Sequence, residues 1–175
     1  FGLESANQAS LDRLCKGTRD EMIEEGCRIE KRDGLNVHLT IMVGHPWETR
    51  AEAERTFRLA RRLLDQGLAD MLQSTIMVPY PGTPLFEEAV KEGWLRHPVG
   101  AWEHWDMTET VMHTPDMQPQ EVMDLCNKVY RAFLTPRFIA RQILSIRDGE
   151  DVLFLARAGA AVFGHIRDFM RRIGS

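Results

Sequence analysis

Short groups of polar residues follow three apolar runs of this sequence, and they carry most of the side chains suited to ligand chemistry. Glu4 and Ser5 follow the first run. A carboxylate accepts hydrogen bonds and a hydroxyl also donates them, so this pair suits a ribose diol. Ser5 or Asn7 could instead satisfy free amides at the start of a helix. Lys16, twelve residues after Glu4, could hold a carboxylate or phosphate, or be an ordinary surface lysine.

The second group is Gly44-His45-Pro46-Trp47-Glu48-Thr49. Its glycine allows the backbone to approach a flat ligand closely, and its proline stiffens the turn. His45 could be a ligand or an acid–base group, or an ordinary turn histidine. Glu48 could simply favour the N-terminus of the following helix electrostatically.

The third group begins Val78-Pro79-Tyr80-Pro81-Gly82-Thr83. Its Pro-Gly pair predicts a sharp turn, which we expect to expose the backbone groups of Val78 and Pro79 at the edge of the sheet. None of the three groups has the spacing of the dinucleotide fingerprint or of the phosphate-binding loop. No nucleophile or carboxylate pair predicts a catalytic residue or a stand-alone hydrolase.

The cysteines and histidines do not predict a metal site. Cys15, Cys27 and Cys126 have no CxxC spacing, which argues against a disulfide framework as well. Cys15 and Cys27 lie among apolar residues, so we expect buried structural thiols. The histidines of residues 94–117 are spaced by 7 and 9 positions, which fits no helical metal pair.

The three apolar runs predict β-strands, and each is followed by a segment with helical signals. Short apolar runs without strict alternation are typical of parallel strands buried on both faces. The predicted strands are Phe1–Leu3, Val37–Val43 and Met71–Val78. Capping boxes at Thr18 and Thr49, and the Thr83-Pro84 pair, predict where helices begin. The alternating order indicates an α/β fold with a parallel sheet over residues 1–93.

The character of the sequence changes after Gly93. Residues 94–117 have no strong period, and we interpret them as an ordered loop or extension. Their aromatic side chains could form a lid over a flat ligand or a satellite core. The aromatic residues and histidines are Trp94, Trp102 and Trp105, with His97, His104 and His113. Helical signals at Pro119, Pro136 and Asp151 predict a helical C-terminal extension over residues 118–175.

A parallel sheet of only three strands is incomplete as a domain, because parallel strands need covered faces and neighbours at both edges. The first strand begins at residue 1, so we expect more sheet upstream and a chain that is a piece of a larger enzyme. We also expect the unpaired sheet edge to be covered by the helical tail or by another chain, which includes self-association.

Composition narrows the class of protein. The 175 residues carry a formal net charge of −4, which provides no field for attracting a nucleic acid. The longest mainly apolar stretch, Val152–Ile166, contains Arg157 and is too short to span a bilayer. No secretory signal opens the sequence. We therefore expect a cytoplasmic protein whose partner is a small-molecule substrate.

Taken together, the three polar groups resemble the second half of the radical S-adenosylmethionine (SAM) core domain. The residues that carry the resemblance are Gly2-Leu3-Glu4-Ser5, Gln8, Leu11 and Lys16, then Gly44–Thr49, then Pro79–Leu85. They are similar to the subgroup that often has an upstream cobalamin-binding domain, such as anaerobic magnesium-protoporphyrin IX monomethyl ester cyclases and B12-dependent methyltransferases. The resemblance covers roughly residues 1–95.

The resemblance implies a partial (β/α) barrel of six strands, of which this chain holds the fourth, fifth and sixth. It also implies which residues contact the cofactor. Glu4 and Ser5 match the ribose-contacting motif of the fourth strand, and Lys16 matches a basic residue that meets the methionine carboxylate in some members. Thr40 and Met42 match fifth-strand contacts to ribose and adenine. Val78 and Pro79 match the adenine edge of the sixth strand.

One part of the family pattern is missing. The CxxxCxxC motif that holds the [4Fe–4S] cluster does not occur in this sequence. The resemblance therefore implies a fragment of an iron–sulfur oxidoreductase, cyclase or methyltransferase that supplies the nucleoside side of the SAM site and is inactive alone. The subgroup also implies cobalamin as a further cofactor where an upstream cobalamin-binding domain is present, which this sequence does not decide. The alternative is a non-catalytic α/β binding or interaction module.

Overall fold

A computed structural model of the chain describes residues 1–132 and 135–173. The chain forms two compact units, one of residues 1–129 and one that begins at residue 130. In the described ranges, the helices are all too short or too polar to cross a membrane.

A sheet of three parallel strands forms the centre of the first unit. The strands are β1 (Gly2–Glu4), β2 (His38–Val43) and β3 (Met71–Ile76), in the order β1-β2-β3. The helices are α1 (Gln8–Arg13), α2 (Asp20–Arg32), α3 (Arg50–Gln66), α4 (Pro84–Lys91), α5 (Pro119–Ala132), α6 (Pro136–Leu144) and α7 (Gly149–Ile173). The predicted α/β class, with an open parallel sheet and C-terminal helices, is confirmed.

Two of the three predicted helix starts have the expected caps. Thr49 and Glu52 form a complete capping box at α3, and the Thr83 hydroxyl accepts a hydrogen bond from Phe86 N at α4. The capping box predicted at Thr18 is wrong, because α2 has Arg19 at its N-cap and no side-chain cap. There the Gln8 side chain already accepts a hydrogen bond from Asp20 N, over a distance of 3.0 Å.

Burial along β2 alternates, so the expectation of strands buried on both faces is wrong for this sheet. Leu39, Ile41 and Val43 are buried, whereas Thr40 and Met42 are only half-buried. Helix α3 packs on β2 and β3 through a stripe of buried residues. That stripe consists of Ala53, Thr56, Phe57, Ala60, Leu63 and Leu64. The sheet therefore has one face in the core and one face that is partly open.

Residues 94–113 fold over the exit of β3. Leu95 and Met112 pair as an antiparallel bridge, and residues 102–104 form one turn of 3-10 helix. Trp105 is buried in a cluster with Met77, Val78, Ala89, Val111 and Met112. For Trp105 the structure therefore favours the satellite core over the aromatic lid, whereas Trp102 is exposed.

Most of the first helix of the predicted extension, α5, lies in the first unit, and the second unit contains α6 and α7. Thr135 caps α6 by accepting a hydrogen bond from Phe138 N, and Pro136 is the first helical residue. Helix α7 begins at Gly149, two residues before the predicted start, and the Asp148 carboxylate accepts a hydrogen bond from Asp151 N. Residues 133–134 and 174–175 of the predicted extension lie outside the described residues.

Candidate functional site

The strand ends bring Glu4 and Lys16 together. Lys16 Nζ lies 2.9 Å from Glu4 Oε1, and the Glu4 side chain is 10% exposed while that of Lys16 is 40% exposed. Glu4 has a φ of 56°, a left-handed conformation that non-glycine residues adopt only where the surroundings enforce it. The predicted carboxylate and ammonium therefore form one ion pair at the end of β1.

This ion pair lies on the partly open face of the sheet. A Cβ atom added at Gly2 would lie 2.7 Å from Glu4 Oε1, so the carboxylate lies back over that glycine. Gly2 pairs with Thr40, and paired residues of parallel strands point to the same face. Met42 follows Thr40 on this face by alternation. One surface is therefore shared by Glu4, Thr40 and Met42. The Lys16 ammonium lies at one end of this surface.

The same surface continues onto β3. Thr40 pairs with Gln73, and Met42 pairs with Thr75. Gln73 is exposed and Thr75 is half-buried. The partly open face is therefore mainly polar, with the Met42 thioether packed toward the satellite cluster.

Ser5 points away from this surface into a buried polar network. Its side chain is fully buried, and its hydroxyl donates to Glu48 Oε1 over 2.6 Å. The same hydroxyl accepts a hydrogen bond from Asn7 N over 3.1 Å, as the capping alternative expected. Asn7 is the N-cap of α1, but its side chain forms no cap hydrogen bond. In this structure, the Ser5 hydroxyl holds the loop after β1 and does not line the open face.

Glu48 is the centre of that network. Its Oε1 atom accepts hydrogen bonds from Ser5, from Asn7 Nδ2 over 3.1 Å and from Ser10 Oγ over 2.5 Å. Its Oε2 atom lies 3.1 Å from His45 Nδ1. Glu48 therefore joins the end of β1 and helix α1 to the loop that follows β2.

The network keeps Glu48 ionised despite its burial. Burial raises the pKa of the Glu48 carboxyl, but the hydrogen bond and charge of His45 and the hydroxyls of Ser10 and Ser5 outweigh it and lower that pKa to about 2. A carboxylate is only an acceptor, so His45 Nδ1 carries a hydrogen atom and donates it. The fully buried His45 thus orients a carboxylate, and Glu48 does more than favour the start of α3.

Sequence patterns do not show that Glu48 is the centre of this network, because its partners other than His45 are distant in the chain. Ser5 and Ser10 precede it by 43 and 38 positions. One sequence feature does indicate the network. Small polar residues follow the first parallel strand at positions 5, 7 and 10, and an acidic residue, Glu48, follows the next strand. Adjacent parallel strands end at the same edge, so these groups had to meet.

Val78 and Pro79 do not have the exposed backbone that the turn predicted. Both residues are buried, and Val78 belongs to the satellite cluster. The Pro79 carbonyl accepts a hydrogen bond from Trp105 Nε1 over 3.0 Å. The expectation of exposure was wrong because residues 94–113 cover the exit of β3.

The three thiols occupy three different environments. Cys15 is exposed, so the expectation of a buried thiol is wrong at that position, where the backbone turns with a φ of 53°. Cys27 is fully buried in α2 and Cys126 is partly buried in α5. Burial raises the pKa of both latter thiols. These cysteines do not fit an iron–sulfur cluster, because they do not converge in the described part of the chain.

Comparison with known proteins finds similarity to a protein that is named as a methyltransferase. Over 144 residues the chain is 31% identical to an uncharacterized methyltransferase of Pyrococcus horikoshii, and the match covers 82% of this chain. It covers 30% of that relative, so the chain spans less than a third of the relative's length. No protein-family model matches the chain.

Proposed function

We propose that this chain is part of a SAM-using methyltransferase and that its open sheet face forms the nucleoside side of the SAM site. The observation that carries the proposal is the surface formed by Glu4, Thr40 and Met42, with Lys16 at its end. The similarity to a protein named as a methyltransferase supports the class of reaction.

The chemistry of this surface suits the parts of SAM. Glu4 Oε1 is paired with Lys16, and a carboxylate has further acceptor sites for a ribose diol. The Lys16 ammonium is a donor for the methionine carboxylate, and its exposed position lets it leave Glu4 for that group. Thr40 offers a hydroxyl beside Gly2, whose missing side chain leaves room for the Glu4 carboxylate. Met42 offers an apolar contact for a flat base.

Within this class we propose a radical SAM enzyme of the subgroup that often has an upstream cobalamin-binding domain. The support is the resemblance of three strand ends in sequence order, together with parallel strands in the order β1-β2-β3. When bound, SAM and a reduced [4Fe–4S] cluster supply radical chemistry. The cluster ligands belong to sequence outside this chain, and the residues of this chain bind and orient SAM.

The binding surface can be tested by calorimetry with SAM on a longer protein that contains this chain and its upstream sequence. We expect Glu4→Gln and Lys16→Met each to weaken SAM binding by about tenfold or more, because each removes one charge-assisted hydrogen bond. Glu25→Gln and Lys91→Met are matched controls, since both side chains are exposed and lie in helices α2 and α4. Equal affinity of the site variants and the controls would contradict the proposed surface.

The radical chemistry is tested separately. After anaerobic reconstitution with iron and sulfide, the longer protein should form 5′-deoxyadenosine from SAM, and its upstream sequence should contain CxxxCxxC. SAM binding without 5′-deoxyadenosine would refute the radical proposal and leave the methyltransferase proposal standing. We expect the 175-residue chain by itself to bind SAM very weakly, because it offers one side of the site.

One observation favours the alternative of an interaction module. The second unit exposes Ile143 and Leu144, with 59% and 85% of their surfaces accessible. Exposed apolar side chains on neighbouring positions are typical of contact surfaces. Failure of the longer protein to bind SAM, with folding intact, would favour this alternative for the whole chain.

A further inference from the structure

A second group of ionisable side chains lies in residues 94–113, outside the proposed SAM surface. The two ends of this segment are held side by side: Arg96 N donates to Val111 O over 3.0 Å, and His113 N donates to Trp94 O over 2.8 Å. Between them the buried Trp105 anchors the segment to the satellite cluster. The backbone therefore holds the side chains of His97, His104 and Glu109 in a defined arrangement.

These three side chains meet around one carboxylate. Glu109 Oε1 lies 2.7 Å from His104 Nδ1, and Glu109 Oε2 lies 3.4 Å from His97 Nε2. The two imidazole rings are stacked, with centroids 3.8 Å apart and planes 3° from parallel. Two imidazole nitrogens thus face the two oxygens of one carboxylate.

His97 Nε2 is the incompletely satisfied member of the group. It is shielded from solvent and forms no hydrogen bond with the described residues, and its nearest charged neighbour is Glu109 Oε2 at 3.4 Å. A buried nitrogen without a hydrogen bond is costly unless something else binds it. A cation placed between the rings and the carboxylate would satisfy it.

We propose that His97, His104 and Glu109 bind a divalent first-row transition metal ion through two imidazole nitrogens and one carboxylate. These are the ligands of open zinc and non-haem iron sites, which keep at least one position for water or substrate. The proposal is independent of the SAM surface.

The distances suit such an ion after a small adjustment. The three ligand atoms all lie within 4.8 Å of one another. Tetrahedral zinc, with bonds of about 2.0 to 2.1 Å, places neighbouring ligand atoms about 3.3 Å apart. The contact of His97 with Glu109, at 3.4 Å, is already near that value. The contact of His104, at 2.7 Å, must lengthen, and one ring must tilt out of the stack. The ion takes the place of the hydrogen atom between His104 Nδ1 and Glu109, so a neutral His104 that binds the ion carries its hydrogen atom on Nε2.

The guanidinium of Arg96 lies next to the site and is held by hydrogen bonds to Thr110. Arg96 Nη1 lies 3.5 Å from Glu109 Oε2, but it also donates to Thr110 Oγ1 over 2.9 Å and to the Thr110 carbonyl. Arg96 therefore stays beside the site and orients Glu109. Because its charge opposes that of the ion, we expect moderate affinity.

The test is calorimetry of the metal-free 175-residue chain with Zn²⁺, in a Cys15→Ser background that removes the exposed thiol. We expect one ion per chain and a higher Tm with Zn²⁺ present. His97→Ala, His104→Ala and Glu109→Gln should each weaken binding by at least about tenfold. His113→Ala is the matched control, because His113 is exposed in the same segment.

Unchanged binding in the three site variants, or no binding in the parent chain, would overturn the proposal. Circular dichroism decides whether each variant is folded. If an alanine variant does not fold, imidazole NMR spectra of the parent chain replace it. Zn²⁺ should then shift the resonances of two of the six histidines and leave those of the exposed His38 and His113 in place. Shifts of His38 and His113 instead would also refute the site.

Discussion

Replacing Glu48 with alanine is expected to lower the free energy of unfolding by about 3 to 5 kcal/mol. The substitution removes the acceptor shared by Ser5, Ser10 and Asn7, and it leaves the His45 donor without its partner. All of these groups are buried, so water does not replace the lost hydrogen bonds without opening the fold. Urea unfolding followed by tryptophan fluorescence measures the change, because all four tryptophans lie in the first unit.

Glu25→Ala is the control for this prediction, since Glu25 is an exposed glutamate of α2. We expect that variant to lie within about 0.5 kcal/mol of the parent chain. A Glu48→Ala variant that is equally stable would show that the network contributes little to stability.

The dependence of stability on pH gives a second signature of Glu48. Its pKa is about 2 in the folded chain, and an unperturbed glutamate has a pKa of about 4.3. The folded-state pKa is the lower one, so its contribution is fully present above about pH 5 and is lost as the pH falls toward 2. Two pKa units correspond to about 3 kcal/mol. Unfolding of the parent chain and of Glu48→Gln at pH 6 and pH 3 should show that the parent loses more.

Replacing Trp105 with alanine is expected to cost about 3 to 5 kcal/mol of unfolding free energy. The indole fills the centre of the satellite cluster and donates its N–H to the Pro79 carbonyl. Trp105→Phe retains much of the apolar volume and should cost less than Trp105→Ala. Far-UV circular dichroism in urea measures these differences without depending on the tryptophan that is removed.

Trp102 provides a matched control three residues earlier. It is 47% exposed and contacts Trp105 edge to face, with ring centroids 5.2 Å apart. We expect Trp102→Ala to cost about 1 kcal/mol, the size of one aromatic contact. Similar losses for the two alanine variants would argue against Trp105 as the anchor of residues 94–113.

Local patterns were enough to predict the order of the elements and most of their limits. The apolar run that ends at Val43 and the signals at Thr49 and Pro84 lie where β2 ends and where α3 and α4 begin. These features depend on neighbouring residues, which a sequence shows directly. Thr18 fails as a cap for the opposite reason, because Gln8 from an earlier helix binds the first amide of α2.

The side-chain partners at the candidate site were harder to predict, because the residues that contact each other there are far apart in the sequence. The pattern placed Glu4 and Ser5 together as ligand contacts, whereas the structure sends Ser5 to Glu48 and Glu4 to Lys16. The register between β1 and β2 shifts between Gly2 and Glu4. Such an irregularity re-aims the residues that follow it, and residue types alone do not show it.

The opposite orientations of Glu4 and Ser5 have a consequence for how this sequence can diverge. Ser5 is one of several donors to Glu48, so a change at Glu48 leaves buried donors unpaired even when Ser5 changes with it. Glu4 contacts the exposed Lys16, so relatives that acquire a different ligand can alter both residues and leave the buried network intact. One dipeptide thus places a residue that is free to specialise immediately before one that is fixed by a shared buried network.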